Sequence, residues 1–189
     1  MFPTQLVDAI AGYNFLINRM GYNSENVIFE GDSSGANIAM ALTRYLIENP
    51  LPMLPPPGGL ILLSPWADLS LSHITPGSSA LPSVPADIVV PTKWGPGHSW
   101  YAVRAYAGMD NPSIVKSDPY ISPASLEIQN VNFKHFPRTL IVCGTAELYY
   151  DQIGKSACQW NHFTGNVLQW HYVNACTRIW ATGWSIMKP

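Results

Sequence analysis

The run Val27-Ile28-Phe29-Glu30 leads into Gly31-Asp32-Ser33-Ser34-Gly35, and the apolar, helix-prone stretch Ala36-Asn37-Ile38-Ala39-Met40-Ala41-Leu42 follows at once. Gly-x-Ser-x-Gly between a strand and a helix is the pattern of a nucleophile elbow, a sharp turn that holds its central residue at a strained backbone position. Gly31 and Gly35 are expected to be glycine because a side chain would collide with neighbouring backbone. Ser33 would stand at a helix N-terminus, where unpaired N–H groups and the helix dipole favour developing negative charge. The backbone N–H of Ser34 would then serve as an oxyanion donor.

The remaining chain supplies the sheet that such a turn needs. Phe2, Leu6, Ile10, Tyr13, Ile17 and Met20 recur at spacings of three and four, which predicts a helix over 3–20, stopped by Gly21. A strand is expected at 26–30, then a helix from the elbow to about Glu48, ended by Pro50, Pro52 and Pro55-Pro56-Pro57. Residues 59–63 and 139–143 are continuously apolar, as strands buried on both faces of a parallel sheet are. Helices are expected near 99–109 and 150–162 and a fourth strand at 167–173, with turn chemistry at 118–123. Strands alternating with helices indicate an α/β fold with a mainly parallel sheet of about four strands, in one domain over 1–189. Ligands of such sheets sit beyond the carboxyl ends of the strands, where both Ser33 and Glu147 fall.

Composition narrows the function classes. A net charge of -2 gives no basic footprint for nucleic acid. No stretch reaches the roughly 18–20 apolar residues of a membrane span, and Asp8 interrupts any leader-like run at the N-terminus. Cys143, Cys158 and Cys176 have no metal-ligand spacing and cannot all pair, which points to a reducing, cytoplasmic setting. Neither a metal nor a cofactor is implied. Charged residues make up only 12% of the chain, about half the usual ~25%, which suggests a surface that is neutral or meant to be covered.

A serine nucleophile needs a base to take its proton and an acid to orient that base, expected in the order Ser, Asp or Glu, His. Glu147 and Asp151 are the carboxylates beyond the strand at 139–143; Glu147 is nearer the strand end and is the favoured acid, Asp151 a helix cap.

Four blocks carry a family resemblance: Gly31-Asp32-Ser33-Ser34-Gly35-Ala36-Asn37; Leu62-Leu63-Ser64-Pro65-Trp66 with Asp68; Ser117-Asp118-Pro119-Tyr120-Ile121-Ser122-Pro123; and Leu140-Ile141-Val142-Cys143-Gly144-Thr145-Ala146-Glu147 with Asp151. In this order they resemble the hormone-sensitive-lipase-like branch of the α/β-hydrolases, fungal esterases most of all. The resemblance implies a serine hydrolase of small or medium acyl esters, with Ser33 as nucleophile and 69–136 as a cap-like or pocket-covering insertion. Its triad acid lies four residues before a second Asp, which maps to Glu147 ahead of Asp151.

The resemblance also exposes departures. The family histidine, in an Ala-Cys-His-Asp run of fungal relatives, maps to Thr177 in Ala175-Cys176-Thr177-Arg178, and threonine is no base near neutral pH. His171 lies six residues upstream within the expected strand, where it reads as an ordinary strand histidine; His162 ends a helix, His73 and His98 lie in the loop region and His135 precedes a strand, and none of these four is taken as the base. The family's leading strands and His-Gly-Gly-Gly oxyanion loop have no counterpart in this chain, nor does its closing helix. The expectation is therefore an N-terminally shortened relative whose elbow strand lies at a bare sheet edge, with a catalytically impaired or binding protein as the alternative to an active esterase.

Overall fold

A computed structural model describes residues 1–78, 101–108, 113–129, 131–144 and 147–156, and the backbone of 167–172. Helix α1 (Thr4–Asn14) and β1 (Ile28–Asp32) precede α2 (Ser34–Glu48) and β2 (Gly59–Leu63). Helix α3 (101–107) and the short α4 (Ile114–Ser117) follow, then β3 (Arg138–Gly144), α5 (150–156) and β4 (Val167–Tyr172). The four strands form one sheet in the order β1-β2-β3-β4, every neighbouring pair parallel. This is the mainly parallel α/β sheet of about four strands with flanking helices expected from the alternating pattern.

Two expected boundaries shift. The first helix turns from α to π geometry at Phe15–Arg19, where the Met20 N–H donates to the Phe15 carbonyl at 3.0 Å. The wider turn interrupts the 3.6-residue repeat, so Ile17 still packs inward while Phe15, Leu16 and Met20 lie exposed. The first strand starts two residues late because Ser24–Asn26 forms a 3₁₀ turn, capped by the Asn23 side chain accepting from the Glu25 N–H at 3.0 Å. It then extends through the elbow glycine: Gly31 pairs with Leu62, and Asp32 with Leu63.

The central strands show why their sequences are apolar. Leu60, Leu62, Ile141 and Cys143 point into a core with Ala36, Ala39 and Met40 of α2, Ile153 of α5, and Phe133 and Phe136. Burying one such Leu or Ile stabilises the fold by about 1.5–3 kcal/mol. Ala124, Val131, Phe133 and Phe136 belong to this same core, so the later part of 69–136 packs with the sheet. Helix α1 covers the far side of α2 through Leu6 and Tyr13. Strand β1 occupies one edge of the described sheet, with Ile28, Glu30 and Asp32 exposed and Phe29 half-buried. Among the described residues no helix is long and apolar enough to cross a membrane.

Candidate active site

Ser33 takes φ 53° and ψ −113° between β1 and α2. A non-glycine residue rarely adopts that conformation, which costs about 1–3 kcal/mol and persists only where the surroundings enforce it. Here the enforcement is visible. The Ser33 N–H donates to the Leu63 carbonyl at 2.9 Å, and its carbonyl accepts from Trp66 N–H at 3.1 Å and Asn37 N–H at 3.2 Å. The hydroxyl makes no cap bond to the helix. It therefore stays uncommitted among the described residues, beside the free N–H groups of the first turn of α2.

The two elbow glycines differ. A Cβ on Gly31 would lie 2.5 Å from the Ala36 nitrogen and closer still to the Gly35 carbonyl carbon, so glycine is obligatory there. The collision expected at Gly35 does not occur: apart from its chain neighbours and the backbone of its own helix, no described atom lies within 4 Å of its Cβ position. Gly35 sits in the first turn of α2, and the close approach is made by Gly31 alone.

Asn37 locks the elbow to three later segments of the chain. Fully buried, its amide donates to the carbonyls of Trp66 and Ile121, both at 2.8 Å, and its Oδ1 accepts from the Tyr106 hydroxyl at 2.6 Å. Burial pushes the Tyr106 phenol well above its ordinary pKa, so it stays a donor. One side chain thus ties α2 to the loop after β2, to the 118–123 turn and to α3.

Beyond β2, the Ser64 hydroxyl donates to Glu147 Oε1 at 2.8 Å, and the Gly144 N–H donates to the same oxygen at 2.6 Å. Glu147 is half-buried and follows β3, as expected. Asp151 lies in the first turn of α5, where its charge suits the helix dipole. Ser33, Ser64 and Glu147 thus stand at the carboxyl ends of three adjacent strands. The strands that lead to Ser33 and Glu147 are two spacings apart in the sheet, roughly 10 Å.

Asp68, the one fully buried carboxylate of the four blocks, is occupied elsewhere. It accepts from the N–H and hydroxyl of both Ser70 and Ser72, a closed set that shapes the loop after β2. His73 holds its Nε2 2.9 Å from the Ala124 carbonyl, which anchors the same loop. His135 has a positive φ of 69° in the turn before β3. His171 pairs by backbone register with Cys143 in β4. Thr177, His98 and His162 lie outside the described residues. Of the residues that build the site, Asn37, Tyr106 and Ser64 had no role assigned from sequence. A serine directly after an apolar strand, as at Ser64, was the available signal, since Ser33 occupies the equivalent place on β1.

A model of the alpha/beta hydrolase fold family matches residues 1–177. An acetyl-hydrolase of Streptomyces hygroscopicus is 29% identical over 153 residues, covering 79% of this chain and 43% of the relative. An esterase of Acinetobacter venetianus is 29% identical over 151 residues, covering 78% and 42%. The structure of a hormone-sensitive lipase from a metagenome library superposes with TM-score 0.71 at 25% identity, covering 93% of this chain and 53% of that one. An esterase from the bacterial hormone-sensitive lipase family gives TM-score 0.68 at 20% identity, covering 93% and 52%. The chain therefore spans about half the length of the proteins it matches. These likenesses support the hormone-sensitive-lipase-like branch, and with the family match extending over most of its length the chain belongs to the alpha/beta hydrolase fold family.

Proposed function

We propose that this chain carries the nucleophile and the orienting acid of a serine carboxylic-ester hydrolase acting on small acyl esters. The observation that carries the reading is the backbone of Ser33, held at φ 53° and ψ −113° at the start of α2 with its hydroxyl uncommitted. The Ser33 oxygen attacks the ester carbonyl while a base takes its proton. The Ser34 N–H stabilises the resulting oxyanion, a contribution worth about 2.7–4 kcal/mol where such a donor has been removed. The carbonyl re-forms, the alcohol leaves with the proton returned by the base, and water releases the acid from Ser33 by the same steps. Glu147 orients the base. Helices α3 and α4, whose Val103, Tyr106 and Val115 pack with Trp66 beside the elbow, form part of the acyl-pocket cover assigned to 69–136. The names of the two curated relatives, acetyl-hydrolase and esterase, support the substrate class, and the four sequence blocks support kinship with fungal esterases.

A second reading, a catalytically impaired homologue or a binding protein that reuses the sheet, is favoured by Thr177 at the position that matches the family histidine. Hydrolysis of p-nitrophenyl acetate decides between them. Turnover that disappears in Ser33→Ala supports the esterase; no turnover, or turnover indifferent to Ser33→Ala, supports the second reading. Loss of a real activity in His171→Ala would place the base in β4 instead of at position 177.

A further inference from the structure

Two donors converge on the Glu147 carboxylate, Gly144 from its own turn and Ser64 from the end of the neighbouring strand. Ser64, the residue after β2, is held at a positive φ of 42°, which a serine seldom adopts, and its hydroxyl crosses to Glu147 Oε1 at 2.8 Å. Its own N–H donates to the Val142 carbonyl of β3 at 2.7 Å, so the strained residue is pinned to the strand that leads to Glu147. Gly144 donates to the same Oε1, and a Cβ there would lie 3.0 Å from that oxygen and 3.3 Å from Glu147 Cγ. The carboxylate is thus seated on a glycine and gripped on one oxygen by two donors. Its Oε2 has no partner among the described residues.

We propose that Ser64 is a positioning residue that fixes the Glu147 carboxylate so that Oε2 is presented to the catalytic base. This rests on the reading of Glu147 as the orienting acid. A turn after β3 needs only the local Gly144 bond; the hydroxyl from the neighbouring strand adds a second constraint, and it fixes the carboxylate relative to the strand ends that also carry Ser33.

The test compares the unaltered chain with Ser64→Ala, which keeps the Cβ and the strained backbone and removes only the hydroxyl. Two readouts are taken: the Gly144 amide proton by nitrogen-15 NMR, and the kcat and KM for p-nitrophenyl acetate. Expected are an upfield move and faster exchange of the Gly144 amide, with kcat lowered about ten- to a hundredfold at unchanged KM, the scale of one hydrogen bond to a charged group. In a Glu147→Ala background, Ser64→Ala should lower kcat no further, because residues acting as one unit are not additive. An unmoved Gly144 amide, a KM effect in place of a kcat effect, or an additive loss in the double variant would overturn the assignment. A chain without ester turnover would defeat the esterase reading, and the Gly144 amide would then decide the role of Ser64 alone.

Discussion

At the carboxyl end of the sheet, Ser33 and Ser64 hold left-handed backbone and the side chains of Asn37, Asp68 and Glu147 are each engaged by two or more hydrogen bonds. At the amino end, α1 and residues 51–54 line an open groove of about 440 Å³, walled by Val7, Ile10, Leu51 and Met53, and Met53 is 71% exposed. The first end uses strained backbone and multiply bonded polar groups to hold positions. The second uses apolar contact, which is indifferent to such detail. Over-determined backbone marks the end where the proposed nucleophile lies, and strain of this kind is retained where geometry has to be held.

This contrast can be broken experimentally. The largest effect is expected at the elbow: Gly31→Ala should cost about 3 kcal/mol or more in urea unfolding, because the new methyl meets backbone that cannot yield. Gly35→Ala, into open space, should be neutral or stabilising by up to ~1 kcal/mol through helix propensity. Equal losses at both glycines would show that the elbow is crowded on both sides. Asn37→Ala should cost about 2–3 kcal/mol, since it strands buried carbonyls of Trp66 and Ile121 and the Tyr106 hydroxyl.

At the amino end, burial raises the Tyr13 phenol from 10.0 to about 12, partly offset by Ser24, and its hydroxyl donates to the Pro55 carbonyl at 2.8 Å. The unfolded phenol loses its proton first, so the stability this group contributes is complete below pH 10 and disappears as pH climbs through about 12. A urea midpoint that falls across that window in the wild type, less so in Tyr13→Phe, would sharpen the contrast; identical profiles would remove Tyr13 from it. Ser33→Gly should raise stability by about 1 kcal/mol, the released strain outweighing the entropy glycine adds. A loss on Ser33→Gly would mean that the elbow is unstrained. Met53→Ser should stay within about 0.5 kcal/mol either way.

The sequence made the sheet readable wherever burial on two faces demanded unbroken apolar runs, as in Leu60-Ile61-Leu62-Leu63 and Leu140-Ile141-Val142-Cys143. The elbow was readable because three separate demands, strand, tight turn and helix start, fall on ten consecutive residues. The π turn after Asn14 was hidden because Tyr13, Ile17 and Met20 satisfy a helical repeat equally well on paper. The late start of β1 was hidden because Val27 is β-prone, while the Asn23 cap that diverts the backbone is a local side-chain bond. Gly35 was misread as crowded because the motif treats its two glycines alike and only packing separates them. The role of Ser64 depends on a backbone angle and a contact 83 positions away in the chain, neither of which residue spacing encodes.

The central claim is that Ser33 is a nucleophile, and covalent capture tests it most directly. The purified chain is incubated with p-nitrophenyl acetate, quenched in acid and analysed by tandem mass spectrometry. The account predicts an acetyl group on Ser33, absent from Ser33→Ala under the same conditions. An acetyl group confined to other residues, or none at all, would contradict it.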